Sequence, residues 1–398
     1  MQKLLKIGTL LLIINKNGFL NMSKFYIVCC FLIFCSCKER IEVTTIYLYP
    51  KERLGWEKKV PCTFVFCGKN CSQKITGGVK FRGGLSSKYD KHSFSVKLKE
   101  SFPVAGLRKS KKWIVNANYI DKTFMRHKIS FDLFREMDER NKSPTCSYVN
   151  VYKNDEYYGL FVLMERMDKN RLALDKNDSK AMIFKDVPVF TKDTVGLMKY
   201  EYQKYPKSSK WKYINEFRDF LINASEEQFR NEISSWIDIE NIVDWQLLLH
   251  FTNNGDGILK NFYLYKKGKN HPFRIAIWDY DHSFGRDGDN ELNMLERRIG
   301  LRRSLLFDRL MDESYYREKL KRRWKELRDE DVFSVSNFKQ KINQNHVIIS
   351  SHITKNFERW PVDDKWYYDN NTYEMEIDTM IKFVALNLDS LDSFFEYE

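Results

Sequence analysis

Between residues 41 and 99 the chain is mostly strand-like, with β-branched and aromatic runs at 43–49 and 61–67. In 92–99, Phe94, Val96 and Leu98 alternate with Ser95, Lys97 and Lys99, the period of a half-buried strand. Further strands are predicted at 113–119, 148–152 and 158–166, the last two joined by the Lys153-Asn154-Asp155 turn. A helix over 122–139 interrupts them, with Asp121 as its cap and Phe124, Ile129, Leu133 and Met137 near one face. After the charged connection Met164-Glu165-Arg166-Met167-Asp168 the pattern turns helical. Ser225-Glu226-Glu227-Gln228 is a capping box, and Asp238 opens a helix in which Ile239, Val243, Leu247 and Phe251 recur every fourth residue. Later helices are predicted at 302–310, 314–329, 336–353 and 374–394. The sequence thus reads as an α+β protein, with a β-rich first part over 38–168 and a mainly helical second part over 169–398.

One β segment breaks the helical half. Residues 261–266 and 273–279 read as two strands around a Lys-Gly-Lys-Asn-His-Pro turn. A hairpin centred on Asn270 sets Lys266 against Arg274 and Asn261 against Asp279. Opposed side chains lie about 5 Å apart, close enough to share one cation. Period two then places Asp279 on the face of Ile275 and Ile277, where a carboxylate needs a metal or a strong donor. Asp256 lies in the loop that feeds the hairpin, so an acid, an amide and a second acid converge on one mouth. That set suits a Mg-nucleotide with a base beside it.

Length and composition narrow the picture. At 398 residues, with 43% hydrophobic and 30% charged side chains, the chain suits a globular protein of two domains or lobes. The formal charge is +13, and residues 1–36 hold four lysines and no acid, so the remainder carries +9. Its basic runs are separated and mixed with acids, and no base-reading motif accompanies them, so nucleic acid is not the expected partner. Residues 25–34 are apolar behind Met22-Ser23-Lys24 and end in Cys35-Ser36-Cys37. A basic start, about ten apolar residues and a small residue before cysteine describe a secretory signal. Its ending resembles a bacterial lipoprotein signal, with Met22 as the start, residues 1–37 as the leader and Cys37 as the lipidated residue. The expectation is an exported body held at the cell envelope by a lipid anchor, and an uncleaved anchor is the alternative.

Export permits disulfides among Cys62, Cys67, Cys71 and Cys146. No histidine lies near the first three, so bridges or free thiols are expected there rather than zinc. Residues 77–87 contain a glycine-rich turn. It reads either as a turn over phosphates, with a strand lysine behind it, or as a plain hairpin with solvated lysines.

Several segments together resemble the CotH family of spore-coat and secreted atypical protein kinases. They are Phe81-Arg82-Gly83 with Ser86-Ser87, Lys91-x-Ser93-Phe94-x-x-Lys97, and Asn116-x-Asn118-Tyr119-x-Asp121 with Arg126. Next come the run Gly159 to Glu165, Asp256-x-x-x-x-Asn261-Phe262-Tyr263, Trp278-Asp279-x-Asp281-x-x-x-Gly285, and two Arg-Trp pairs at Arg323-Trp324 and Arg359-Trp360. The likeness covers about residues 41–395. It implies a two-lobed protein-kinase-like fold, with a β-rich N-lobe and a mainly helical C-lobe. The implied reaction moves the γ-phosphoryl of ATP to Ser or Thr of a protein substrate. By the same resemblance Asp256 accepts the hydroxyl proton, Asn261 and Asp279 hold Mg²⁺ or Mn²⁺, and Asp281 is either a further metal ligand or a support just behind the ligands. Lys97 contacts phosphates, Arg82, Ser86 and Ser87 shape the turn above them, and Glu165 borders the adenine pocket. Gly84-Leu85, where Asn is common after Arg-Gly, and Gly257 beside the base depart from the family pattern.

Two other classes compete. Asp279-x-Asp281 also reads as the DxD metal site of a sugar-nucleotide transferase. The other is a non-catalytic exported envelope protein that keeps the fold for binding alone, since ATP is scarce outside the cytoplasm.

Overall fold

The computed structural model describes residues 42–192, 202–208, 210–286, 295–361 and 370–397. The expected leader, with Met22 and Cys37, lies outside them. Within the unit Val43–Glu398 the first part is a closed seven-stranded barrel. Its strands are β1 (Thr44–Pro50), β2 (Val60–Cys67), β3 (Ile75–Arg82), β4 (Ser93–Phe102), β5 (Ser110–Asn116), β6 (Cys146–Lys153) and β7 (Glu156–Glu165). Neighbours run β1-β2-β3-β4-β5-β7-β6, and parallel pairing of β1 with β6 closes the ring. Closure leaves no free sheet edge in the barrel. Alternation fills the interior with Ile46, Phe64, Val79, Phe94, Trp113 and Phe161. Strand β7 is apolar almost throughout because both its faces are buried. Phe161 and Leu163 point into the barrel, while Leu160, Val162 and Met164 join the core shared with the helices.

Helix α1 (Arg126–Met137) starts four residues later than the sequence pattern predicts. Phe124 takes a left-handed φ of 61°, which keeps the preceding residues out of the helix. Asp121 still acts on the helix start, because its carboxylate accepts from the Arg126 N–H at 3.0 Å. The helical part comprises α2 (Trp211–Asn223), α3 (Glu226–Trp236), α4 (Ile239–Thr252), α5 (Leu305–Asp312), α6 (Ser314–Asp329), α7 (Val335–Arg359) and α8 (Tyr373–Phe395). Two of the three predicted caps stand at the cap position: the Ser225 hydroxyl accepts from the Gln228 N–H, and the Asp238 carboxylate from the Asn241 N–H, whereas Met125 takes that position before α1 in place of Asp121.

A second sheet was not legible in full from the pattern. It is formed by β8 (Met182–Lys185), β9 (Gln203–Tyr205), β10 (Phe262–Lys266) and β11 (Arg274–Ile277), in the order β11-β10-β8-β9. The expected hairpin is therefore half of a four-stranded sheet, backed by α4. Cys67 and Cys71 form a disulfide, and Cys62 and Cys146 are free and buried. Burial pushes both free thiols up to about 12, so neither is a nucleophile at neutral pH.

Candidate active site

The β10–β11 pair is in a register one residue away from the expected one. Phe262 faces Ile277 and Tyr265 faces Arg274, so Lys266 does not oppose Arg274. The last rung is the Trp278 N–H donating to the Asn261 carbonyl at 3.0 Å, which sets Asn261 against Trp278 instead of Asp279. The strand then stops. Asn261 and Asp279 both adopt left-handed backbone, φ 62° and 60°, and leave the pleat. Asp279 consequently does not lie on the buried face of Ile275 and Ile277; its side chain is 48% exposed. The two residues nevertheless line one cavity, because each turns off the same end of the same strand pair.

That cavity, of about 630 Å³, lies between the barrel and the second sheet. From the barrel come Arg82, Gly83, Ser86 and Asn116; from the sheet side come Lys185, Asp186, Asp256, Lys260, Asn261, Trp278, Asp279, Asp281 and His282. Gly83 is required by the turn: its φ is +150°, and a Cβ there would meet the Ser86 hydroxyl at 2.4 Å. The Arg82 guanidinium reaches the Asn116 side-chain oxygen at 3.5 Å and lies 5.8 Å over the Trp278 ring. Burial lowers the Arg82 pKa, and the charge of Asp279 is the strongest effect opposing it. The glycine turn and the Asp279 end of the sheet thus face one another electrostatically.

Asp256 begins a single 3₁₀ turn after α4 and is held from three directions. Lys260 Nζ lies 3.0 Å from its Oδ2, Asn261 Nδ2 donates to that oxygen at 3.5 Å, and His282 Nδ1 is 3.7 Å away. Asp186 has no counterpart in the sequence reading. It follows β8 with φ 54°, accepts from the Asn261 N–H at 2.8 Å and pairs with Lys185 Nζ at 2.7 Å. No local motif marks it, because its partner lies 75 positions along the chain.

Asp279, Asp281 and His127 bring three possible ligand atoms within 4.8 Å of one another. Burial, and then the charge of Asp279, push the Asp281 carboxyl above its ordinary range. A divalent cation would remove that repulsion, and oxygen donors from Asp279, Asp281 and Asn261 suit Mg²⁺ or Mn²⁺. His127 fits a different part. Its Nδ1 accepts from the Tyr280 N–H at 2.8 Å, so the neutral ring carries its proton on Nε2. That Nε2 faces Asp279 at 3.5 Å and Asp281 at 4.0 Å, as a donor that orients carboxylates and not as a ligand.

Three expected residues lie elsewhere. Lys97 is exposed on β4 between Gly78 and Lys112, outside the cavity, because Val96 and Leu98 take the inward positions. Lys80, Arg82 and Lys185 are cations that do line the cavity. Glu165 does not border it: the carboxylate is buried between Arg108 at 2.5 Å and Arg171 at 3.1 Å. Ser86 lines the cavity, whereas Ser87 is exposed on the outer side of the same turn.

Comparison with known proteins gives the family. Over 295 residues the chain is 26% identical to the inner spore coat protein H of Bacillus subtilis (strain 168), covering 70% of this chain and 78% of that protein. A chain from the Shewanella oneidensis MR-1 toxin–antitoxin complex of HipA, HipB and operator DNA aligns with a TM-score of 0.32 and 13% identity. That alignment covers 75% of this chain and 63% of the other, and at such a score it bears no weight. The family model described as CotH kinase protein matches residues 79–391, and the chain belongs to the CotH family.

Proposed function

We propose that this protein is an ATP-dependent protein kinase with a two-lobed arrangement, the barrel above and the second sheet with its helices below the cavity. The observation that carries this reading is the convergence of Asp256, Asn261, Asp279 and Asp281 on one cavity, opposite the Arg82–Ser86 turn. Asn261, Asp279 and Asp281 would hold Mg²⁺ or Mn²⁺, which when bound neutralises charge on the phosphate oxygens. Arg82, Lys80 and Lys185 supply further positive charge where the phosphates of ATP would lie. The Ser86 hydroxyl and the backbone of the turn are donors to the same oxygens.

In the transfer, a Ser or Thr hydroxyl oxygen of the acceptor protein bonds to the γ-phosphorus as the bond to the β–γ bridging oxygen breaks, releasing ADP. Asp256 takes the hydroxyl proton. Lys260 and Asn261 hold its carboxylate in place for that role. Positioning and charge supply most of the rate in such reactions.

Nucleotide binding and autophosphorylation of the wild type beside Asp279→Ala test the reading. Metal-dependent binding that disappears in the variant is the expected result. Absence of nucleotide binding in the wild type overturns it and leaves an envelope protein that uses the fold for binding. We further propose that the body is exported and anchored through lipid on Cys37; partition of the full chain into detergent, lost on Cys37→Ser, is the expected behaviour.

A further inference from the structure

The outer face of the barrel carries a row of cations that the proposed transfer does not use. In β4, Lys97 is paired directly with Lys112 of β5 on one side and with Gly78 of β3 on the other. Lys59 precedes β2 and lies across Gly78; a Cβ on that glycine would meet the Lys59 Cβ at 3.2 Å. Arg166 follows directly on β7, whose Glu165 pairs with Trp113, the neighbour of Lys112. The inward neighbours Val60, Val79, Val96 and Trp113 are buried, so Lys59, Lys97, Lys112 and Arg166 all project outward.

This arrangement is unfavourable in isolation. Like charges directly opposed across strands repel one another. Among the described residues no acidic side chain forms an ion pair with Lys59, Lys97, Lys112 or Arg166. Burial, and then the repulsion of Lys80, Arg166, Lys97 and Lys112, hold the Lys59 ammonium below the ordinary lysine range. Successive strands lie about 4.8 Å apart, so the row is a line of positive charge across several strands and not a broad flat patch. It runs beside the cavity: Lys80, one of the repelling group, lines it, and Arg166 acts on Arg82 and Tyr263 next to Trp278.

We infer that the Lys59–Lys97–Lys112–Arg166 row is a docking surface for an acidic segment of the acceptor protein, lying alongside the cavity where its Ser or Thr would react. A linear row favours an extended acidic chain over a membrane, which would meet a broad face. The inference rests on the proposed kinase reading for the identity of the partner, but its test does not depend on catalysis.

Fluorescence anisotropy of a labelled peptide of ten glutamates flanking one serine measures the docking on the full chain. The wild type is expected to bind it in a salt-dependent manner, and Lys59→Gln/Lys112→Gln to bind it about tenfold more weakly. Mg-ATP affinity, measured separately, is expected to be the same in both proteins. Peptide binding without nucleotide binding would remove the kinase reading and still support the row as an acidic-segment surface. No peptide binding, or equal binding by the variant, overturns the inference. So does binding of phosphatidylglycerol vesicles or of a single-stranded oligonucleotide through these lysines in place of the peptide.

Discussion

Asn118, Asp186, Asn261 and Asp279 all line the cavity with left-handed backbone, φ 45°, 54°, 62° and 60°. Asn and Asp tolerate that conformation better than other side chains, and strained residues of this kind gather where the fold must aim a functional group. Asp186 shows how one such residue holds another, since its carboxylate fixes the Asn261 N–H. Asp186→Ala removes that acceptor and keeps the side chains of all the proposed metal ligands. Its Mn²⁺ affinity, followed by paramagnetic resonance titration, is expected to fall about tenfold with the unfolding midpoint little changed. Asp256 has a separate part. Asp256→Asn keeps a polar group of the same shape beside Lys260, so nucleotide binding should persist while phosphoryl transfer, measured with radiolabelled ATP, drops about 10²- to 10⁴-fold. Equal loss of both would show that Asp256 binds nucleotide and does not accept a proton.

At the scale of elements, the loop carrying Asp279 and Asp281 is held from behind by a buried charge network. Arg126 at the start of α1 pairs with Asp121 at 2.7 Å and with Glu376 of α8 at 2.9 Å, and donates to the Ser283 carbonyl at 3.0 Å. Arg286 pairs with the same Glu376. Two arginines and two acids balance, so the cluster is neutral as a whole but intolerant of losing one member. Glu376→Gln leaves two guanidiniums against one carboxylate and is expected to cost about 3–5 kcal/mol in urea unfolding. Burial alone would raise the Glu376 carboxyl, but Arg126 and then Arg286 override it and hold it at about 2, below the ordinary 4.5. The unfolded carboxyl therefore takes up its proton first as the pH falls. Its contribution, of order 3 kcal/mol, is complete above about pH 4.5 and is lost between there and about pH 2. Urea midpoints across that range should decline in the wild type and stay flatter in Glu376→Gln.

Across the whole molecule, the barrel is fastened to the helices through the floor of the cavity. Lys91 Nζ donates to the Ala117 carbonyl at 2.9 Å, the Leu160 carbonyl at 2.5 Å and Asn356 Oδ1 of α7 at 3.0 Å. Its ammonium also lies 4.3 Å from the Phe161 ring and 4.8 Å from that of Phe124. Burial drives its pKa down, yet three acceptors for three N–H donors and two ring faces are what a charged ammonium needs. Trp360 Nε1 adds a bond to the Tyr158 carbonyl at 2.5 Å, and Tyr119 one to the Pro361 carbonyl at 3.1 Å. Lys91→Met removes all three hydrogen bonds, and Asn356 Oδ1 then keeps only the Leu160 N–H at 3.1 Å. The expected loss is about 3 kcal/mol by chemical denaturation, with weaker nucleotide binding because Ala117 forms part of the cavity wall.

Local pattern alone determined much of this protein. The alternation in β4, the caps Ser225 and Asp238 and the full span of Ser314–Asp329 depend on neighbours within a turn or two, which is what periodicity reports. The same holds for the meeting of Asp256, Asn261 and Asp279 in one cavity, since a short hairpin connects them. Tertiary structure decided the rest, because the decisive partners are distant in sequence. The barrel closes by a parallel β1–β6 pairing about a hundred residues apart, and β8, only four residues long, is a strand because β10 is beside it. One residue of register changed which side chain opposed Asn261, and left-handed backbone at Asp279 restored the convergence by another route. Lys97 and Glu165 matched a motif but face away from the cavity, since a strand's pleat and two arginines govern where they point. Sequence spacing fixes which residues can meet; the packing of distant strands fixes which of them do.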